Sequence, residues 1–147
     1  MLRPMQIEDY ESVHTLWKSI KGFSIRSIDD SYDGIKKFIL RNPDTSVVYE
    51  KDGRLTGTIL CGHDGRRGYL YHVCVAEEAR MQGVGKAMVG FCTNALAKEG
   101  ITKISLISFR RNMLGNTFWQ KIGWAKRDDL NFYDFTLNNE NITSINE

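Results

Sequence analysis

Apolar residues recur along this chain at two different spacings, and the spacing changes where turn residues fall. Tyr10, Val13, Leu16, Trp17 and Ile20 repeat at helical intervals after Ile7-Glu8-Asp9, which predicts a first helix behind a short strand near Leu2. The stretch KGFSIRSIDDS has no period and reads as a loop. Tyr32, Ile35, Phe38 and Ile39 then share one side of a second helix, from about Asp30 to Leu40. Asn42-Pro43 stops it, because a residue before proline is driven out of the helical region.

The period then shortens. TSVVYEKDGRLTGTILCGHDGRRGYLYHVCV reads as three antiparallel strands joined by turns at Asp52-Gly53 and Asp64-Gly65. After Val75 a polar loop, AEEARMQ, leads to Val84, Ala87, Met88, Phe91 and Ala95, a helical pattern that Gly100 closes. TKISLISF predicts a strand, NMLGNTFWQKIG a helix ending at Gly123, and DLNFYDFTLN a final alternating strand. The order is β-α-α-β-β-β-α-β-α-β. This is an α+β fold: a mixed, mostly antiparallel sheet flanked by helices, with one parallel pair joined through the Val84–Glu99 helix. One domain is expected over residues 1–137, followed by a loose polar tail, NNENITSINE, over 138–147.

Composition narrows the classes. The chain has 147 residues, 41% hydrophobic and 26% charged, as a globular domain with a sizeable core has. Its net charge of +2 gives no ground for expecting nucleic acid or a membrane surface as partner. No apolar run approaches the roughly 20 residues of a membrane span. Cys61, Cys74 and Cys92 are odd in number and irregularly spaced, which argues against a disulfide framework and for a reducing compartment. With no signal pattern at the N-terminus, a cytoplasmic protein is expected. Cys61, His63 and Cys74 lack the spacing of a zinc site, and no metal is expected.

The candidate chemistry lies in RMQGVGKA, Arg80 to Ala87. A dinucleotide loop needs G-x-G-x-x-G straight after a strand, but Met88 holds the third position and Gly83 stands well beyond Val75. A nucleotide P-loop needs G-x-x-x-x-G-K-[ST], but Arg80 and Ala87 replace its first glycine and its hydroxyl. The pattern [RQ]-x-x-G-x-[GA] is met by Arg80, Gly83 and Gly85. A second block, N-x-x-A-x-x-x-Y-x-x-x-G-F, is met in part by Asn112, Gly123 and Trp124. With the element order, these make the chain resemble the GNAT-type N-acetyltransferases, and small single-domain bacterial members among them.

That resemblance implies acetyl-coenzyme A as cosubstrate and a primary amine of a small molecule or peptide as acceptor, joined by direct attack. Its pyrophosphate would meet the backbone of Arg80, Met81, Gln82, Gly83, Val84, Gly85 and Lys86 at a helix N-terminus. Its pantetheine arm would pair with Val73, Cys74 and Val75 where two parallel strands splay, with Asn112 and Trp119 beside it. Counting back by twos from Val75 places Tyr71 and Tyr69 where a base or water relay belongs, and strand alternation sends His72 to the opposite face. Trp119 stands where the family carries a tyrosine acid, and an indole N–H does not titrate usefully. Tyr133 or water is then left to protonate the thiolate. The acceptor cleft would form from Lys21–Leu40, from Tyr69 and Tyr71, and from a final hairpin near Asn131–Phe135. Within it Asp29 or Asp30 would attract an amine or cap the second helix. Dimers are common among such proteins. The substitution at Trp119 also fits another class, a sensor or regulatory module that binds CoA or acyl-CoA with little turnover.

Overall fold

The computed structural model describes all 147 residues. Strand β1 (Leu2–Pro4) is followed by helix α1 (Tyr10–Ser19), β2 (Ser24–Arg26), α2 (Tyr32–Arg41) and three strands, β3 (Val47–Lys51), β4 (Arg54–His63) and β5 (Gly68–Val75). Helix α3 (Val84–Lys98), β6 (Ile104–Ser105), α4 (Met113–Lys121) and β7 (Thr143–Ile145) complete the chain. The main sheet has the order β1-β3-β4-β5-β6, antiparallel except for the parallel β5–β6 pair. This is the α+β architecture that the alternation of periods predicts. No helix is long and apolar enough to cross a membrane.

The sheet carries a core on each side. On one side α1 and α2 cover Val48, Leu60 and Cys74, with Val13, Leu16, Trp17 and Ile35 supplied by the helices. On the other, α3 and α4 cover Val47, Ile59, Cys61 and Leu70 with Val84, Met88, Cys92, Leu96 and Trp119. Neighbours such as Val47 and Val48 go to opposite cores because strand side chains alternate. Each core side chain of this size contributes about 1.5–3 kcal/mol by leaving water.

Two segments depart from the sequence pattern. The expected loop KGFSIRSIDDS contains β2, and the expected loose tail contains β7, which pairs antiparallel with it. Side chains make this junction. The Asn146 amide donates to the carbonyls of Trp17 and Ile20, both at 2.8 Å, at the end of α1. Asn141 Oδ1 accepts from the backbone N–H groups of Ile28 and Asp29. Conversely, DLNFYDFTLN alternates as a strand should but forms none.

Asn146→Ala therefore loses two hydrogen bonds to a helix terminus, and is expected to lower unfolding free energy by about 1–2 kcal/mol. Urea denaturation measures it. A change within experimental error would mean that the β2–β7 pair does not hold the end of α1.

Candidate functional site

The site is built around an irregularity in β5. Thr58 of β4 pairs with Cys74 and Leu60 with Tyr71, so His72 and Val73 together oppose Ile59. This is a β-bulge, and its extra residue reverses the alternation beyond it. His72 has φ of 51°, a left-handed conformation that costs an L-residue about 1–2 kcal/mol. Its side chain holds it there. Nε2 lies 2.8 Å from Asp30 Oδ1, and the ring packs 4.8 Å from both Trp17 and Phe23. Asp30 is buried, and its other oxygen accepts the Arg26 backbone N–H at 2.7 Å.

The bulge corrects the face assignments. Tyr71 packs edge-on against Phe38 of α2, and His72 packs on α1 and Asp30, so both stand on the α1–α2 side. Val73 points to the α3 core, away from Tyr71. Simple alternation placed His72 opposite Tyr71 and Val73 beside it, and no glycine marks the bulge in the sequence. Asp30 does not cap α2 either. Ser31 does, accepting from Gly34 N–H. Asp29 is exposed and accepts from Asn141. The His72–Asp30 pair, 42 positions apart in sequence, is what sequence reasoning missed.

Tyr69 and Tyr71 lie ring to ring, with centroids 4.5 Å apart. Burial, with Tyr71 adding to it, pushes the Tyr69 phenol up to about 12. Burial and then Asp29 raise Tyr71. Both phenols therefore stay protonated near neutral pH, as hydrogen-bond donors rather than bases. With Phe38, Arg41, His63 and Arg67 they line a groove of about 310 Å³.

Beside them the sheet opens. β5 and β6 pair only at Gly68–Ile104 and Tyr69–Ser105. Beyond that point Leu106 to Phe109 run without strand pairing, so the C-terminal half of β5 has an open edge. Val73, Cys74 and Val75 lie on it. The Cys74 thiol is buried and pushed up to about 12 by that burial, so only the backbone there faces a ligand. Asn112 caps α4, its Oδ1 accepting Gly115 N–H at 3.0 Å. Asn116 donates to the carbonyls of Phe109 and Arg110 and fixes the end of the β6 segment. Trp119 is buried against Phe118, Trp124 and the α3 core.

The glycine loop completes the open side. Arg80 Nε donates to the Val75 carbonyl, tying the loop to the end of β5, and Gln82 donates to Glu78. Met81 has φ of 62° and Gly83 φ of 80°. Gly83 is the N-cap of α3 and offers no side chain to it. The first intrahelical bond is from Ala87 N–H to Gly83 O, so the N–H groups of Gly83, Val84, Gly85 and Lys86 have no partner in the protein. No acidic residue stands in the first turn, where one normally offsets the helix dipole. Arg80 and Lys86 are exposed and form no ion pair, while Val84 turns its side chain into the core. A Cβ on Gly85 would lie 3.2 Å from Phe118 Cζ, so that glycine admits α4. The result is an uncapped, electropositive helix end that opens onto a bare strand edge.

The three cysteines are free and buried, with Cys61 and Cys74 on opposite faces of the sheet. No group of three His, Cys, Asp or Glu side chains is placed to hold a metal ion.

Comparisons with known proteins agree with this fold. The family model described as the acetyltransferase (GNAT) family matches residues 10–124. An acetyltransferase of Photorhabdus laumondii is 33% identical over 106 residues, covering 72% of this chain and 73% of the relative. Among solved structures, the PaiA N-acetyltransferase of Thermoplasma acidophilum in complex with coenzyme A superposes with a TM-score of 0.74 at 17% identity, covering 100% of this chain and 98% of the other. The aminoglycoside acetyltransferase AAC(6')-Iy, bound to a CoA-linked bisubstrate analogue, gives 0.71 at 17% identity, covering 92% and 97%.

Gly83→Val forces a branched side chain into left-handed backbone and is expected to cost about 1–2 kcal/mol by thermal unfolding. Gly83→Asn, which tolerates that conformation, should cost less than about 1 kcal/mol. Equal losses would show that φ at this position is not the constraint.

Proposed function

The chain belongs to the GNAT acetyltransferase family and is an acyltransferase, and from that premise we propose that it moves an acetyl group from acetyl-CoA to a primary amine of a small molecule or peptide. The observation that carries this reading is the helix end at Gly83–Lys86, with four free N–H groups and no acidic neighbour, opening onto the unpaired edge of β5.

In this reading the loop from Arg80 to Lys86 binds the pyrophosphate, with N–H groups at the helix terminus and charge-assisted contacts from Arg80 and Lys86. The backbone of Val73, Cys74 and Val75 pairs with the pantetheine arm as a strand would. Asn112 keeps its side-chain N–H₂ available for that arm, since capping uses only its oxygen. An N–H at the bulge polarises the thioester carbonyl as charge develops on its oxygen.

The acceptor amine enters through the groove beside Phe38, Tyr69 and Tyr71. A lysine-like amine titrates near ~10.4 and must lose a proton before it attacks. His72 takes that proton, directly or through a water held by the Tyr71 hydroxyl. Asp30 holds the ring's Nε2–H, which leaves Nδ1, without a partner in the protein, carrying the lone pair. The new bond is C–N, and the bond that breaks is C–S; the second proton that the nitrogen sheds as the amide forms goes to water. The Trp119 indole N–H does not titrate usefully, so the thiolate leaves unaided and takes its proton from water. A thiol pKa near ~8.5 makes this departure undemanding.

Saturating acetyl-CoA, at about 100 times its Kd, should raise the melting temperature by roughly 5–10 °C, and a panel of amines, peptides and aminoglycosides should include one that releases thiol. With neither effect the reading fails; a melting shift without turnover on any amine favours the sensor. His72→Gln is expected to lower kcat by about 10²–10⁴-fold, with the acetyl-CoA shift retained. An unchanged kcat assigns the proton to another group.

A further inference from the structure

The groove beside Tyr69 and Tyr71 is charged unevenly along its length. One end is framed by Arg41, in the last turn of α2, and Arg67, in the turn between β4 and β5. Neither guanidinium has a carboxylate within ion-pair distance, whereas those of Arg3, Arg54 and Arg127 lie 2.8, 2.7 and 2.9 Å from one. The Arg67 side chain donates only to the Arg66 carbonyl, and that of Arg41 to nothing in the protein. Asp64 is the one acid lining this end. Its Oδ1 accepts from the backbone N–H groups of Arg67 and Arg66, both at 2.8 Å, which hold its carboxyl below the usual range. It closes the turn rather than neutralising a guanidinium.

The positions of the two arginines are set by packing. Asn42 is buried where α2 ends; its Oδ1 accepts the His63 N–H at 3.0 Å, and its Nδ2 donates to the Phe38 carbonyl at 3.3 Å. A Cβ on Gly62 would lie 2.7 Å from Asn42 Nδ2, so α2 rests directly on the β4 backbone. The helix end that carries Arg41 is thereby held against the hairpin that carries Arg67.

The opposite end of the groove has the other sign. Burial and then the charge of Asp29 raise the Tyr71 phenol, and Asp30 lies beyond with His72. Between the two ends the Tyr69 and Tyr71 hydroxyls are protonated and have no partner in the protein. A simple amine meets the acids and leaves both guanidiniums without a counter-charge. An amine that also carries a carboxylate matches both ends, and the guanidinium fork presents parallel N–H donors to two carboxylate oxygens. From Arg67 to Tyr71 is four residues of extended chain, about 13 Å. The long arginine side chains shorten this, so nitrogen and carboxylate stand several bonds apart. A volume of about 310 Å³ holds a molecule of amino-acid or dipeptide size.

We propose that the acceptor is a small aminocarboxylate, its reacting amine towards Tyr71 and His72 and its carboxylate seated by Arg41 and Arg67, with the Tyr69 hydroxyl donating to the same group. The inference rests on the acetyl-transfer reading above; the carboxylate is held and takes no part in the transfer.

The test is thiol release from acetyl-CoA with 4-aminobutanoate, 5-aminopentanoate, 6-aminohexanoate and glycylglycine, each beside its carboxamide. At least one acid should exceed its amide in kcat/KM by about 10–100-fold, with the difference in KM. In Arg41→Gln and Arg67→Gln combined, the acid-to-amide ratio should fall towards one while the acetyl-CoA melting shift is retained. Turnover that is equal on every acid and its amide overturns the carboxylate seat alone, as does a double variant that keeps the wild-type ratio. No turnover on any amine overturns the seat together with the acetyl-transfer reading. If the double variant does not fold, the ratio in the wild type decides.

Discussion

The bulge at His72 and Val73 is the constraint on which the site depends. One extra residue in β5 turns His72 onto the face that already carries Tyr71, and sends Val73 to the other. It also bends the strand, and a bent strand cannot stay in register with a straight parallel neighbour. β5 and β6 accordingly keep two register pairs and then part. The left-handed backbone at His72 is unfavourable in isolation. It persists because Asp30 grips the ring from one side while Trp17 and Phe23 enclose it. Those partners come from α1 and from the segment after it. The β2–β7 pair that clamps that segment therefore belongs to the support of the site, although it lies outside the main sheet.

The two loop glycines answer different demands. Gly83 satisfies a backbone angle, since a left-handed residue ends the loop where the N–H groups of Gly83, Val84, Gly85 and Lys86 are left free together. Gly85 satisfies packing, since Phe118 occupies the space its side chain would need. The motif thus fixes both the orientation of the helix end and the position of α4 beside it. A free helix end and a packed helix pair follow from two residues that read alike in the sequence.

Much of this was legible in the sequence. The change of period from 3.6 to 2 and back located α1 to α4 and the central strands, because each of these elements buries one face. RMQGVGKA located the loop, because left-handed backbone and close approach both demand glycine. The rest depended on contacts that local pattern does not encode. Nothing around His72 announces a bulge, since the residue that stabilises it is Asp30, in a different element. The tail looked disposable because its work is done by Asn141 and Asn146, polar residues that bind helix-end and turn groups rather than filling a core.

DLNFYDFTLN is the instructive failure, because it alternates as a strand should and forms none. Period 2 says that a segment suits a sheet; it does not say whose sheet. The unpaired edges of β5 and β6 are made of the same backbone donors and acceptors, so the groups around them must decide what each receives. The edge of β5 adjoins a helix terminus stripped of acidic side chains and framed by Arg80 and Lys86, which suits an extended, anionic ligand. The edge of β6 adjoins Ile107 and Phe109, which suits an apolar strand.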